Sequence, residues 1–189
     1  SINTKSTDIP DIPPYSSDRL RIKFDNNLRR LFSRNLGLWR SRRQYLFEDQ
    51  EAVNIEMLVK YDKFIEEKTG TERYRVKWWP EKDYTQIKEK LIKQNYLFSI
   101  EGDYEAALLG HQLYQTKSSF IDVPHMSSIR QVDEHEVILQ SKNKGVYLLE
   151  HIRLIDQDKY RSKIIYCWAK DDLKLVETHH DIRLPSQIA

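Results

Sequence analysis

The chain has 189 residues, a formal net charge of +2, 39% hydrophobic residues and 11% aromatic residues. That length and apolar content suit one folded core and argue against disorder, and so small a net charge argues against a whole-molecule polyanion binder. A single cysteine, Cys167, excludes an intrachain disulfide and a thiolate metal centre, and no apolar run approaches the ~18 residues of a membrane helix.

Residues 1–16 are polar, with Pro10, Pro13 and Pro14, and read as a flexible N-terminal arm; residues 17–189 read as one domain. No signal peptide is visible. Leu20, Phe24, Leu28, Leu31 and Phe32 recur at spacings of three and four, which predicts an amphipathic helix over 17–36 ended by Gly37. Arg29, Arg30 and Arg34 fall on its solvated face.

Beyond Gly37 the period changes to two. Trp39–Phe47 reads as a first strand, and Val53, Ile55, Met57, Val59 and Tyr61 form the apolar side of a second. Tyr74, Val76 and Trp78 alternate with Arg73, Arg75 and Lys77 in a third, broken by Pro80. A short helix is predicted over 82–94, with Tyr84, Ile87 and Leu91 on one face, and another over 104–114. Six strands follow, over 118–123, 127–133, 136–141, 145–155, 160–168 and 173–183, joined by short polar links. The expected fold is mainly β: a single antiparallel, lipocalin-like barrel of eight to ten strands, with an N-terminal helix at one mouth and one or two short helices.

Gly37-Leu38-Trp39 resembles the lipocalin signature, in which the Trp plugs one barrel end; the alternative is an ordinary helix stop before a core Trp. Glu150 shares its parity with Val146, Leu148, Ile152 and Leu154, so it falls on an apolar face. A carboxylate there is either one half of a buried ion pair or faces a ligand cavity, where it exchanges a proton with the ligand. Arg161, across the next turn, is its expected partner. The companion set Tyr160, Ser162, Ile164, Tyr166 and Trp168 is the more apolar, so a bulge is expected to aim Arg161 inward. Arg40, Arg42 and Arg43 on the first strand are candidates to neutralise a ligand carboxylate. Arginine and aromatic side chains also mix in nucleic-acid modules, but no RNA-binding signature is present and the charges nearly balance. His179 and His180 are adjacent on a predicted strand and face opposite ways, so no metal site is expected from them.

Four segments together resemble the S-type phycobiliprotein lyases, bilin-binding members of the lipocalin-like (calycin) group. They are Phe32–Arg43 (FSRNLGLWRSRR), Tyr74–Trp79 (YRVKWW), Glu150–Ser162 (EHIRLIDQDKYRS) and Asp181-Ile182-Arg183. The resemblance implies that the ligand is a phycobilin, phycoerythrobilin or phycocyanobilin. It implies delivery of that bilin to a cysteine of a phycobiliprotein subunit, as a thioether, in a cyanobacterial cytoplasm or a plastid stroma. It further implies Glu150 and Arg161 as catalytic residues, Arg43 or Arg40 as propionate partners, Trp78 or Trp79 as stacking rings and Ser162 as a ligand contact. The cofactor is that non-covalent bilin, with no metal, nucleic-acid or membrane partner, and a homodimer is left open. The competing reading is a non-enzymatic carrier of another small apolar ligand.

Overall fold

The computed structural model describes residues 27–93, 100–118 and 120–185; the expected N-terminal arm and the first half of the leading helix lie outside them. Residues 27–34 form helix α1. Ten strands follow: β1 (Gly37–Phe47), β2 (Ala52–Ile65), β3 (Glu72–Pro80), β4 (Gly102–Leu109), β5 (Gln112–Gln115), β6 (His125–Gln131), β7 (Glu136–Asn143), β8 (Val146–Ile155), β9 (Tyr160–Ala169) and β10 (Asp172–Leu184). A short helix, α2 (Thr85–Lys93), lies between β3 and β4.

Each strand pairs antiparallel with the next, and β10 closes on β1, so the sheet has no free edge. The barrel interior is zoned along its axis. At one end, Leu28 and Leu31 of α1 pack with Trp39, Tyr74, Ile129, Val137 and Leu154. At the other, Leu91 of α2 joins Tyr45, Phe47, Val53, Ile55, Trp78 and Leu175. The inward residues of β1, β8, β9 and β10 between these clusters are polar, and most are ionisable: Ser41, Arg43, Glu150, Arg161, Lys163, Glu177, His179 and Asp181, all at least largely buried.

The strands over 39–47, 53–61, 74–78, 136–141, 145–155, 160–168 and 173–183 fall where period-two alternation predicts them, and Pro80 ends β3. The helix predicted over 104–114 is instead the hairpin β4–β5, turning at Gly110 with φ +63°. The Ala- and Leu-rich stretch favours helix locally, but pairing with β3 on one side and β6 on the other overrides that preference. Residues 118 and 120–123 of the predicted strand 118–123 are not in a strand. The Ser118 amide instead donates to the Ile121 carbonyl at 2.8 Å, and the next strand begins only after Pro124, which has no N–H to give a ladder.

Gly37 joins α1 to β1 with φ +122°, a conformation that L side chains rarely adopt. Arg183 from β10 fills the space beside it. Its Nη1 donates to the Leu36 carbonyl at 2.6 Å and its Nη2 to the Arg34 carbonyl, acceptors at and just past the C-terminus of the helix, and its Nε donates to the Asp158 carbonyl in the β8–β9 turn. A Cβ on Gly37 would stand 2.9 Å from that Nη1. Gly37→Ala therefore combines backbone strain with a displaced cap, and a loss of about 2–3 kcal/mol is expected in chemical denaturation. A variant as stable as wild type would show that neither the dihedral nor the cap matters.

Arg34 is not on a solvated helix face as predicted. Its guanidinium grips Asp158 through two hydrogen bonds, 2.9 and 2.8 Å, and reaches the Glu134 carbonyl at 2.7 Å. Asp156, Gln157 and Asp158 all have positive φ, so the β8–β9 turn is held in a left-handed run against which α1 is strapped.

Candidate functional site

The turn sets the register of the interior. Ile155 pairs with Tyr160, so Leu154 stands opposite Arg161 and Glu150 opposite Ile165. Arg161 is thus four positions along the strand from the level of Glu150, roughly 13 Å at 3.3 Å per residue. The expected Glu150–Arg161 pair does not form. Glu150 Oε1 instead meets Lys163 Nζ at 3.2 Å, one diagonal step away. Arg161 stands opposite Asp181 on β10; its Nε donates to Asp181 Oδ2 at 2.9 Å. No bulge is needed to bring Arg161 inward. Arg161, Lys163, Ile165 and Cys167 are the inward set, and the apolar companions Ile164 and Tyr166 lie on the outer wall.

Arg161 is the hub of the α1 end. Besides Asp181, it donates to the Tyr61 hydroxyl at 2.5 Å and to Asn35 Oδ1 at 3.2 Å, beneath the end of α1. Its guanidinium lies over the rings of Trp39, 5.2 Å to the centroid, and Tyr61, 4.4 Å. Arg183 lies over the same Trp39 ring at 4.2 Å, and the indole N–H donates to the Asn35 carbonyl at 2.9 Å. Trp39 is fully buried and closes this end of the barrel. Burial works against the Arg161 charge, but Tyr61 and Asp181 outweigh it and hold the guanidinium protonated. Lys163 follows the same logic: burial opposes its charge, Glu150, Tyr61 and Tyr104 favour it, and its pKa is raised.

These groups line two adjoining chambers that share part of their lining. The upper one lies under α1 and has a volume of about 60 Å³, smaller than the usual range of small-molecule sites. Its wall is mainly apolar, with Leu31, Phe32, Tyr74, Ala106, Leu113 and Ile152, and Glu150, Arg161 and Lys163 face it as the charged groups. The inner chamber is more polar and is lined by Arg43, Gln115, Ser118, His179, Trp78 and Phe120. Tyr61, Tyr104, Glu150 and Lys163 border both. Glu150 Oε2 has no hydrogen-bond partner among the described residues, so one carboxylate oxygen is available at the junction.

The sequence-predicted residues therefore divide. Glu150, Arg161, Arg43 and Trp78 share the interior. Arg40, Trp79 and Ser162 lie on the outer wall. Arg40 is held by both oxygens of Glu81, and Arg42 lies 3.5 Å from Glu56. The Trp79 ring sits against Lys77 at 5.8 Å. Ser162, Arg40 and Arg42 line a separate outer groove with His180 and Ile182. His179 is buried and His180 exposed, on opposite faces as alternation requires. Lys163, Tyr61, Tyr104 and Glu177 were not singled out by the sequence reading, and Asp181 entered only within the Asp181-Ile182-Arg183 segment. The available signal was the run Glu177, His179, Asp181, Arg183, four ionisable residues on one parity of β10.

No known protein family and no curated protein matches the sequence. The fold is similar to the S-type phycobiliprotein lyase CPES from Guillardia theta, with 12% identity and a TM-score of 0.58 over 84% of this chain and 93% of that one. It is also similar to a protein of unknown function of the DUF3598 family from Nostoc punctiforme, with 12% identity and a TM-score of 0.55 over 81% of this chain and 48% of that one. At such identities the likeness is one of fold.

Proposed function

We propose that the chain is a bilin lyase: it binds a free phycobilin non-covalently inside the barrel and delivers it to a cysteine of a phycobiliprotein subunit. The observation that carries this reading is the set of side chains that lines the barrel interior. An apolar, aromatic wall surrounds a carboxylate with a free oxygen and three buried cations, Arg43, Arg161 and Lys163. A bilin has the matching parts: a flat apolar body, a row of pyrrole nitrogens and two propionates. Likeness of fold to a phycobiliprotein lyase supports the same reading.

In this scheme the free oxygen of Glu150 accepts hydrogen bonds from the pyrrole N–H groups, and a proton that the carboxylate takes up from solvent is relayed to the ring system. That makes the A-ring side chain more electrophilic toward the acceptor's cysteine. Lys163 fixes the Glu150 carboxylate, while Arg161 and Arg43 hold propionates and Trp78 offers a ring face. The attacking sulfur belongs to the acceptor. Cys167 is buried, and that burial pushes its thiol up to about 12, so it is a poor nucleophile at neutral pH.

Mixing the purified protein with phycocyanobilin or phycoerythrobilin should shift the visible band of the pigment, and an added acceptor subunit should take the pigment away. Denaturing electrophoresis with zinc fluorescence should leave this chain colourless, and Cys167→Ser should bind equally well. A coloured band that stays on this chain and vanishes in Cys167→Ser would overturn the non-covalent scheme. Binding without any transfer would favour the carrier reading.

A further inference from the structure

At the wall of the inner chamber, His179 belongs to a pair of groups that the lyase scheme does not use. Glu177 and His179 are neighbours of one parity on β10, and Glu177 Oε1 lies 2.5 Å from His179 Nε2. Both are buried, His179 to 3% exposure. His179 lines the chamber, and its other ring nitrogen, Nδ1, has no hydrogen-bond partner among the described residues. Arg43, directly across the ladder from His179, also lines the chamber. Its Nη1 is 3.9 Å from Glu177 Oε1, and its Nε donates to Ser41 Oγ at 3.1 Å.

The short bond ties the state of Nδ1 to the charge of Glu177. While Glu177 is ionised, His179 gives it the Nε2 proton and presents a bare acceptor at Nδ1. One added proton reverses this. The proton binds Nδ1, and the proton of the short bond passes toward Glu177 Oε1, so the residue that lines the chamber gains an N–H donor at Nδ1. The same event removes the carboxylate charge that faces Arg43. We propose that the inner chamber is a proton-coupled subsite for a ligand carboxylate, which docks between Arg43 and His179 as the Glu177–His179 pair takes up one proton. No bond other than N–H and O–H changes, and the proton comes from solvent. The ligand's negative charge replaces the one that Glu177 gives up.

The surroundings place this exchange near neutrality. Burial pushes Glu177 up to about 7 against the pull of Arg43 and Lys163, with Glu150 adding to the rise and the Tyr45 hydroxyl opposing it. Burial and the cations Arg43, Lys163 and Arg161, with His180 beyond them, keep His179 neutral, well below the usual histidine range. Cys167 on β9 also feels Glu177, but its thiol stays protonated across this interval. Asp181 acts on Arg43 from β10, and Tyr61 acts on it from β2. A proton bound only in the ligand-competent state makes affinity fall about tenfold per pH unit above the midpoint.

The subsite rests on the reading that a ligand enters the barrel, but not on that ligand being a bilin. The test therefore uses 11-(dansylamino)undecanoic acid and its methyl ester beside phycocyanobilin. Between pH 6 and 8.5 the acid should bind about tenfold more weakly per unit above 7, while the ester shows no such slope. Calorimetry at pH 8 in phosphate and in Tris should report about one proton taken up per acid bound. Nitrogen-15 NMR of labelled histidines should show Nδ1 of His179 passing from a bare to a protonated nitrogen as pH falls through 7 without ligand, and Glu177→Gln should flatten both responses. Affinity independent of pH in wild type, coupling that survives Glu177→Gln, or failure of every carboxylate probe to bind would overturn the inference. Proton uptake with the dansyl acid but no bilin binding overturns the bilin reading alone. Bilin binding without proton uptake overturns this inference alone. Should Glu177→Gln fail to fold, the wild-type pH series and the ester decide.

Discussion

Asp181→Ala should lower stability by about 3–5 kcal/mol, the cost of leaving a buried guanidinium without its counter-charge. For a chain of this size that amounts to a drop in Tm on the order of 10 °C. Arg161 is buried, and Asp181 is its carboxylate partner at 2.9 Å. What remains after the substitution is dipolar: the Tyr61 hydroxyl, the Asn35 amide oxygen and the faces of Trp39 and Tyr61. None supplies a negative charge, and the Arg161 side chain is only 2% exposed. The double variant Arg161→Met/Asp181→Ala should recover much of the loss, because an apolar side chain of similar length has no charge to compensate. If Asp181→Ala alone loses less than 1 kcal/mol, then Arg161 reaches solvent and the barrel end is open.

That pair also shows where the sequence was legible and where it was not. Alternation along 53–61 and 145–155 marks strands because one face of each meets the core, and a meander of such strands has few solutions besides a closed barrel. Glu150 was visible for the same reason, as one charge on an apolar parity. Its partner was not, because pairing depends on register, and register depends on the turn. Three residues of positive φ, Asp156, Gln157 and Asp158, set Ile155 opposite Tyr160 and so carry Arg161 past Glu150. On β9 and β10 the usual rule is inverted. The charged parity, with Arg161, Lys163, Glu177, His179 and Asp181, faces inward, and Ile164, Tyr166 and Ile182 face out. A reading that places polar residues outside assigns such strands the wrong way round; only the density of ionisable residues of both signs on one parity hints otherwise. The helix predicted over 104–114 failed for a different reason. The local preference of that stretch is helical, and only pairing across the barrel makes it two strands.

Glu150→Gln should separate the ligand role of this carboxylate from its structural one. The substitution keeps the size of the side chain and leaves an amide oxygen to accept from Lys163, but it removes the charge and the capacity to release or take a proton. The structural cost should be modest, about 1–3 kcal/mol. Lys163 keeps the favourable field of Tyr61 and Tyr104, and its side chain retains 13% exposure, so the ammonium is not wholly stranded. The functional cost should be much larger. If Glu150 meets the pyrrole nitrogens through its free oxygen, the variant binds phycocyanobilin with an altered visible band and transfers it about 10²–10⁴-fold more slowly, the usual worth of general acid–base help. Lys163→Met makes the complementary comparison, because it leaves the carboxylate in place without its cation. The band should then move in a different direction from that of Glu150→Gln, since one variant removes negative charge beside the pigment and the other removes positive charge. Thermal unfolding and bilin spectra measured on the same samples decide between the roles. A large loss of stability in Glu150→Gln with an unchanged spectrum and normal transfer would take Glu150 out of the ligand site and leave it as the structural partner of Lys163.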